Sequence, residues 1–214
     1  MITRTLGSAG PRVAALGLGC MGMSDFYGPA DEAERVATIH AALDAGVTLL
    51  DTGDYYGMGH NELLLREALR GRDRDLVVLS VKFGLPRAPD GAVVGIDGRP
   101  AAVKSSLAYT LRRLGTDHVD IYRLGRVDPA VPIEETVGAI AEMVQAGYAR
   151  HVPLVGARRC DRLAEALGAL RLELTAEDLA AVERAVPAGA AAGDRYHAPQ
   201  IATLDSERGG VATR

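Results

Sequence analysis

The amino-acid sequence predicts an α/β fold organised around a parallel β-sheet. Short apolar runs alternate with longer amphipathic segments, and the connections between them are short, as in βαβ units. A closed (β/α)8 barrel typically needs ~250 residues, so a chain of 214 residues is short for one. An open doubly wound sheet also fits the strand count, although no GxGxxG fingerprint follows the first strand. The pattern alone leaves both architectures open.

Each element is predicted from the period of its apolar residues and from the residues that flank it. Strands are predicted at residues 14–19, 47–51, 77–82, 119–125 and 151–156. Helices are predicted at residues 31–46, 61–72, 101–115, 133–147, 161–170 and 175–186, the first of them capped by Asp31 and stopped by Gly46. Two runs separated by glycines at the start of the chain predict an N-terminal β-hairpin cap. Small and polar residues predominate after residue 187, which is typical of an extended tail.

Composition excludes several classes of protein. A formal net charge of −4 and a pI near 5.7 argue against nucleic-acid binding. No run approaches the ~18 apolar residues of a membrane span, and the N-terminus lacks the apolar core of a signal peptide, so we expect a cytoplasmic protein without a membrane partner. The five histidines and two cysteines show no metal-ligand spacing, and we expect no metal site.

Three polar side chains fall at the carboxyl ends of predicted strands, where active sites of parallel α/β folds gather. Asp51 ends one strand, Tyr56 follows five residues later, and Lys82 ends the next strand. An ammonium beside a phenol favours the phenolate and should lower the phenol's pKa, while a carboxylate holds the ammonium charged. Together they would make a general acid. The alternative is structural: an Asp that caps a turn, a core Tyr, and a Lys whose stem packs on the core.

The segment around these residues reads LDTGDYYGMGHNE and is followed by VKFG. Further segments are GLGCMGMSDFYG, TLRRLG, VDPAVPIEETVGA and VPLVGARR. Over nearly the whole chain the sequence resembles the aldo-keto reductase family. That resemblance implies a (β/α)8 barrel, a nicotinamide cofactor (NADP), and a catalytic set in which Asp51 is the acid, Tyr56 the proton donor and Lys82 the lysine.

Two departures from the family pattern change what the resemblance implies. Gly125 stands where the family carries its catalytic histidine, just before the RVDP segment. The segment AGYARH runs directly into VPLVGARR, so the sixth and seventh strands of the family's barrel have no counterpart. We therefore expect a partial or reduced barrel of about six parallel strands in residues 1–187, followed by a tail at 188–214.

The missing strands would supply the groups that hold the nicotinamide. The resemblance leaves a possible clamp for the cofactor's 2′-phosphate, formed by Gly156, Arg158 and Arg159, although two exposed arginines in the first turn of a helix are the alternative. Arg123 shares strand parity with position 125 and points into the barrel. Either it pairs with Asp51 or an anionic substrate, or the strand is altered and Arg123 turns outward.

Three functions follow from this combination. The first is proton-transfer chemistry without redox, of the isomerase, dehydratase or cyclase type, on a small carbonyl or hydroxyl compound. The second is an NADPH-dependent carbonyl reductase, whose activity is either weak or restored by oligomerisation. The third is a non-catalytic relic. An incomplete sheet exposes strand edges that favour pairing with a second copy, so we also expect a homodimer.

Overall fold

A computed structural model describes residues 1–7, 10–25 and 31–152. All of these residues lie within one compact unit that spans Met1–Ala166. The predictions that fall beyond residue 152 therefore lie outside the described part. They are the last two helices, most of the strand at 151–156, the boundary after 187 and the tail.

The N-terminal hairpin is present as predicted. Strand β1 (Thr3–Thr5) pairs antiparallel with strand β2 (Arg12–Ala14). The side chain of Val13 packs against Val78 and Ile121, and the Ala14 amide donates a hydrogen bond of 2.9 Å to the Thr48 hydroxyl. The hairpin thus packs near the amino ends of the sheet strands and leaves the carboxyl ends free for a site.

In the described part of the chain, five strands form one parallel sheet. They are β3 (Leu18–Gly19), β4 (Leu49–Gly53), β5 (Val78–Phe83), β6 (Val119–Leu124) and β7 (Ala149–His151). Their spatial order is β3-β4-β5-β6-β7, so each strand adds to the same edge as the one before it. A doubly wound sheet reverses its order at a switch point, whereas a barrel does not. The topology is therefore that of a partial (β/α) barrel, as expected.

The helices between the strands have the bounds that the sequence pattern indicates to within a few residues. They are α1 (Glu32–Asp44), α2 (His60–Ala68), α3 (Pro100–Leu114) and α4 (Ile133–Gln145). At the start of α1 the Asp31 carboxylate accepts a hydrogen bond from the Glu34 amide, so the predicted cap is confirmed. Pro100 opens α3, where its fixed φ favours the first helical turn.

Alternation along β5 places apolar side chains on one face of the sheet and, towards the carboxyl end of the strand, polar side chains on the other. Leu79, Val81 and Phe83 of β5 are buried in the core beneath the helices. Ser80 and Lys82 point to the opposite face, because successive side chains of a strand lie on opposite sides of the sheet. The main core therefore fills the space between sheet and helices, and Ser80 and Lys82 lie on the other face of the sheet.

Candidate active site

The structure brings Asp51, Tyr56 and Lys82 into direct contact. The Lys82 ammonium donates a hydrogen bond of 2.6 Å to the Tyr56 hydroxyl oxygen. The same nitrogen lies 2.7 Å from the Asp51 carboxylate. The parallel register places Asp51 opposite Ser80, two residues before Lys82 on the neighbouring strand. Adjacent strands in register therefore assemble the cluster that the strand-end pattern predicted.

Arg123 points inward and pairs with Asp51. Its guanidinium donates a hydrogen bond of 2.9 Å to one carboxylate oxygen, which also accepts 2.9 Å from the Ser80 hydroxyl. Arg123 lies opposite Lys82 in the register of β5 and β6. Of the two arrangements considered from the sequence, the structure shows the inward one. One carboxylate thus faces two cations, Lys82 and Arg123.

These cations determine the ionisation of Asp51. Burial on its own would raise the pKa of the Asp51 carboxyl, but the charges of Lys82 and Arg123 and the hydrogen bonds that they donate outweigh it. The pKa of Asp51 is held below its usual value. The carboxylate is therefore ionised at neutral pH and keeps both cations in place.

Tyr56 sits in a short 3-10 turn, Tyr56–Gly59, between β4 and α2. Three consecutive residues after it have left-handed backbone angles, with φ of 55° at Gly57, 53° at Met58 and 95° at Gly59. A Cβ atom at Gly57 would lie 2.9 Å from the Ser24 carbonyl oxygen, so glycine is needed there. The turn closes tightly enough to aim Tyr56 back over the strand ends.

A buried polar network fixes this turn. The Asn61 side-chain amide donates hydrogen bonds of 2.8 Å to the Cys20 carbonyl and to the Ser24 hydroxyl. Its oxygen accepts 2.6 Å from the Thr52 hydroxyl, and Ser24 is also hydrogen-bonded to His60 Nδ1 at 2.9 Å. The network ties the loop after β3 to the turn after β4. Sequence reasoning assigned no role to Asn61, although it lies within the quoted LDTGDYYGMGHNE motif.

The ionisation of Tyr56 differs from the expectation drawn from the sequence. Burial and the negative charge of Asp51 raise the pKa of the Tyr56 phenol above its usual value, although a hydrogen bond from Tyr55 and the charge of Arg123 oppose the rise. The prediction of a lowered pKa was wrong, because it counted the ammonium and neglected desolvation and Asp51. Tyr56 is protonated at neutral pH and can give up a proton.

Cys20 lies next to this centre, but its thiol is unreactive. The thiol is fully buried, and its backbone amide donates a hydrogen bond of 2.9 Å to the Asp51 carbonyl. Burial and the nearby Asp51 charge raise the pKa of the Cys20 thiol to about 12. A thiol with such a pKa is protonated and is a poor nucleophile at neutral pH.

A second charged cluster, formed by Asp54, Glu62 and Arg113, lies next to the Tyr56–Gly59 turn. Glu62 is completely buried and forms an ion pair with Arg113. Burial and the neighbouring Glu62 raise the pKa of Asp54 to about 7, while Arg113 and a hydrogen bond with Ser106 act in the opposite direction. Asp54, Ser106, Arg113 and Tyr55 line a cavity of about 320 Å³.

The shifted ionisation of Asp54 makes stability depend on pH. An unfolded Asp titrates near ~3.9, so the folded protein binds the Asp54 proton more tightly than the unfolded chain does between about pH 4 and pH 7. The free energy of unfolding should therefore fall as the pH rises through this range, by up to about 1.4 kcal/mol per pH unit from this group. In urea unfolding at pH 5 and pH 7, an Asp54→Asn variant should show a shallower fall than the unchanged chain. Equal falls in the two proteins would contradict the assignment.

Four further residues were singled out in the sequence, namely Gly125 and the three residues of the possible phosphate clamp. Gly156, Arg158 and Arg159 fall outside the described residues. Gly125 directly follows β6, and its amide donates a hydrogen bond of 2.8 Å to the Phe83 carbonyl.

Within the described ranges, no helix combines the length and the apolar character needed to cross a bilayer.

Comparison with known proteins identifies the same motifs in a characterised family. Residues 15–154 match the sequence model of the Aldo/keto reductase family. A curated soybean (Glycine max) protein, "Probable aldo-keto reductase 1", is 38% identical over 152 residues, which are 70% of this chain and 43% of that protein.

Solved structures agree with the sequence match. Aldo-keto reductase AKR11C1 from Bacillus halodurans, in its holo form, is 35% identical with a TM-score of 0.64, covering 71% of this chain and 49% of that one. The glycerol dehydrogenase AKR11B4 from Gluconobacter oxydans is 27% identical with a TM-score of 0.62, covering 70% and 47%. The chain spans about half the length of these relatives. On sequence and structure together, the chain belongs to the aldo/keto reductase family.

Proposed function

We propose that Tyr56 acts as a general acid on an oxygen atom of a small carbonyl or hydroxyl compound, in a reaction without redox. The observation that carries this proposal is the contact chain from Tyr56 through the Lys82 ammonium, 2.6 Å away, to the Asp51 carboxylate, 2.7 Å further. A phenol backed by a fixed ammonium can release its proton, because the ammonium stabilises the phenolate that is left behind. Asp51 holds Lys82 in position through their ion pair.

The ionisation state favours proton donation over proton abstraction. Because the pKa of Tyr56 is raised, the phenol is protonated at neutral pH. Among the isomerase, dehydratase and cyclase reactions, dehydration uses such a group most directly. Tyr56 gives its proton to the leaving hydroxyl, the C–O bond breaks and water departs. The proton lost from the neighbouring carbon returns to the phenolate, so no electrons are exchanged with a cofactor.

The charges around Asp51 indicate the class of substrate. Lys82 and Arg123 both contact this single carboxylate, which leaves one positive charge in excess among these three groups. The Arg123 side chain is 28% exposed, so its guanidinium can also reach a ligand. A carboxylate or phosphate on the substrate would balance the excess charge. We therefore propose a small anionic hydroxyl or carbonyl compound.

Binding of a nicotinamide cofactor is a separate proposal. By family resemblance Gly156, Arg158 and Arg159 would clamp the 2′-phosphate of NADP, which supplies a hydride in the family's reductases. None of these residues is among those described, and every step proposed for Tyr56, Lys82 and Asp51 proceeds without the cofactor. The second candidate function is an NADPH-dependent carbonyl reductase. Family membership and similarity to a relative solved in its holo form favour it.

We also propose a cytoplasmic homodimer. Within the described ranges, β3 and β7 each pair with one neighbour only, so each leaves an edge that a second copy could extend. Light scattering of the full chain at micromolar concentration should give twice the monomer mass. A monomer under those conditions would contradict the dimer.

Turnover without nicotinamide tests the proposed reaction. The full chain would be incubated with a panel of small hydroxy and hydroxycarbonyl compounds, each paired as carboxylate and neutral amide, and followed by NMR. We expect conversion without NADPH, with the carboxylates preferred over their amides. If every converted compound requires NADPH, the chain is a carbonyl reductase and the proposal of non-redox chemistry is wrong. If amides react as well as carboxylates, Arg123 does not select the substrate.

A further inference from the structure

The side chain missing at Gly125 is replaced in space by a neighbouring phenol. A Cβ atom built on Gly125 would lie only 3.0 Å from the Tyr55 hydroxyl oxygen and 3.4 Å from its ring. Tyr55 is buried, with 9% of its surface exposed, so the ring cannot easily move away. The Tyr55 phenol, together with the Phe83 carbonyl oxygen 3.2 Å from the same Cβ position, therefore fills the space that a larger residue at 125 would need.

The same phenol reaches the candidate acid. The rings of Tyr55 and Tyr56 meet edge to face, with centroids 4.9 Å apart and an interplanar angle of 83°. Through this contact Tyr55 lowers the pKa of the Tyr56 phenol and Tyr56 raises that of Tyr55, which is the pattern expected of a Tyr55 hydroxyl that donates to Tyr56. Lys82 donates to the same Tyr56 oxygen from 2.6 Å. The Tyr56 oxygen therefore accepts from Lys82 and lies beside a second phenol that could also donate to it.

We propose that Tyr55 is a positioning residue that occupies the place of the absent side chain at 125 and serves as a second hydrogen-bond donor to Tyr56. When Tyr56 gives up its proton, its oxygen becomes negative. Lys82 and Tyr55 then hold that charge from two directions, as an oxyanion hole holds a reaction intermediate. This role differs from that of the histidine that the family carries at position 125, because Tyr55 would stabilise the acid Tyr56 and would not contact the substrate.

Tyr55 is suited to this role because it does not itself ionise. Burial is the main cause that raises the pKa of the Tyr55 phenol, and the Tyr56 hydroxyl adds to the rise. A donor that keeps its proton throughout the pH range of activity stabilises the Tyr56 phenolate without competing to become one. The inference rests on the proposed acid role of Tyr56, but the contact between the two phenols does not depend on any substrate.

A titration without substrate tests the hydrogen bond. A fluorinated tyrosine, encoded at position 56 of the full chain, ionises at a pH low enough for the protein to stay folded, and its phenolate can be followed by absorbance. In a Tyr55→Phe background its pKa should rise by about one unit, because one donor to the phenolate is lost. Tyr148→Phe, which removes an exposed hydroxyl, is the matched control and should leave the pKa unchanged. An unchanged pKa in Tyr55→Phe would overturn the proposal.

A thermal-unfolding cycle tests the pairing in space. Gly125→Ala should lower the melting temperature, since its Cβ meets the Tyr55 hydroxyl. In a Tyr55→Phe background the same substitution should cost less, because the closest of its contacts is gone while those with the Phe83 carbonyl oxygen and the ring of residue 55 remain. Additive losses would overturn the claim that Tyr55 fills the space at 125. Both measurements remain readable if Tyr56 proves not to be a catalytic acid, so failure of this inference and failure of the proposed function can be told apart.

Discussion

Replacing Tyr56 by phenylalanine should lower turnover of the converted panel compounds by about 10²–10⁴-fold, the range that a positioned general acid supplies. The ring of Tyr56 is buried, with 3% of its surface exposed, and phenylalanine preserves its packing. Only the proton and the oxygen that contacts Lys82 are lost. Because the phenol acts in the transition state, kcat should fall and KM should change little.

The control for this substitution is Tyr148→Phe, which removes a hydroxyl from an exposed tyrosine outside the site. It should turn over the same compounds at the unchanged rate. The melting temperatures of both variants should be measured alongside, so that a loss of fold is not mistaken for a loss of chemistry. A Tyr56→Phe protein that stays folded and retains more than about a tenth of the rate would contradict the acid role.

The largest effect on stability should come from Arg113→Met. Glu62 is fully buried, and Arg113, whose side chain is 28% exposed, is its ion-pair partner. Removing one partner of a buried pair leaves an uncompensated charge and typically costs about 3–5 kcal/mol. Since Arg113 is partly exposed, we expect a loss near the lower end, about 3 kcal/mol. Urea unfolding at pH 7 measures it directly.

A surface ion pair provides the matched control. Arg70 pairs with Glu67 three residues earlier, and their side chains are 75% and 51% exposed. Arg70→Met should change the free energy of unfolding by about 0.5 kcal/mol or less, because solvent screens exposed pairs. If Arg113→Met and Arg70→Met lower the free energy of unfolding equally, the Glu62–Arg113 pair does not stabilise the fold as described.

The local elements could be predicted because their signals are short-range. The apolar period predicted a helix at 101–115, and the structure has it at Pro100–Leu114. The same holds for the hairpin and for the strands that carry Asp51 and Lys82. The choice between barrel and doubly wound sheet was different. Strand order is a long-range property, and only the family resemblance indicated it in advance.

The candidate site was predictable only in part. Strand alternation was enough to bring Asp51 and Lys82 to one face, since that pattern is fixed by the backbone. The sequence pattern did not indicate the buried network around Asn61, because a polar residue at the start of a helix is usually exposed. Nor could it indicate that Tyr55 fills the space at Gly125, which depends on the distance between two segments 70 residues apart in the chain.

Binding of NADPH to the full chain tests the central claim most directly. The chain has no tryptophan, so the cofactor's own fluorescence can be followed in a titration without interference from indole emission. We expect no saturable binding up to millimolar NADPH, together with Tyr56-dependent turnover in its absence. Saturable binding at micromolar NADPH, with turnover that depends on the cofactor, would contradict it and establish the chain as a reductase.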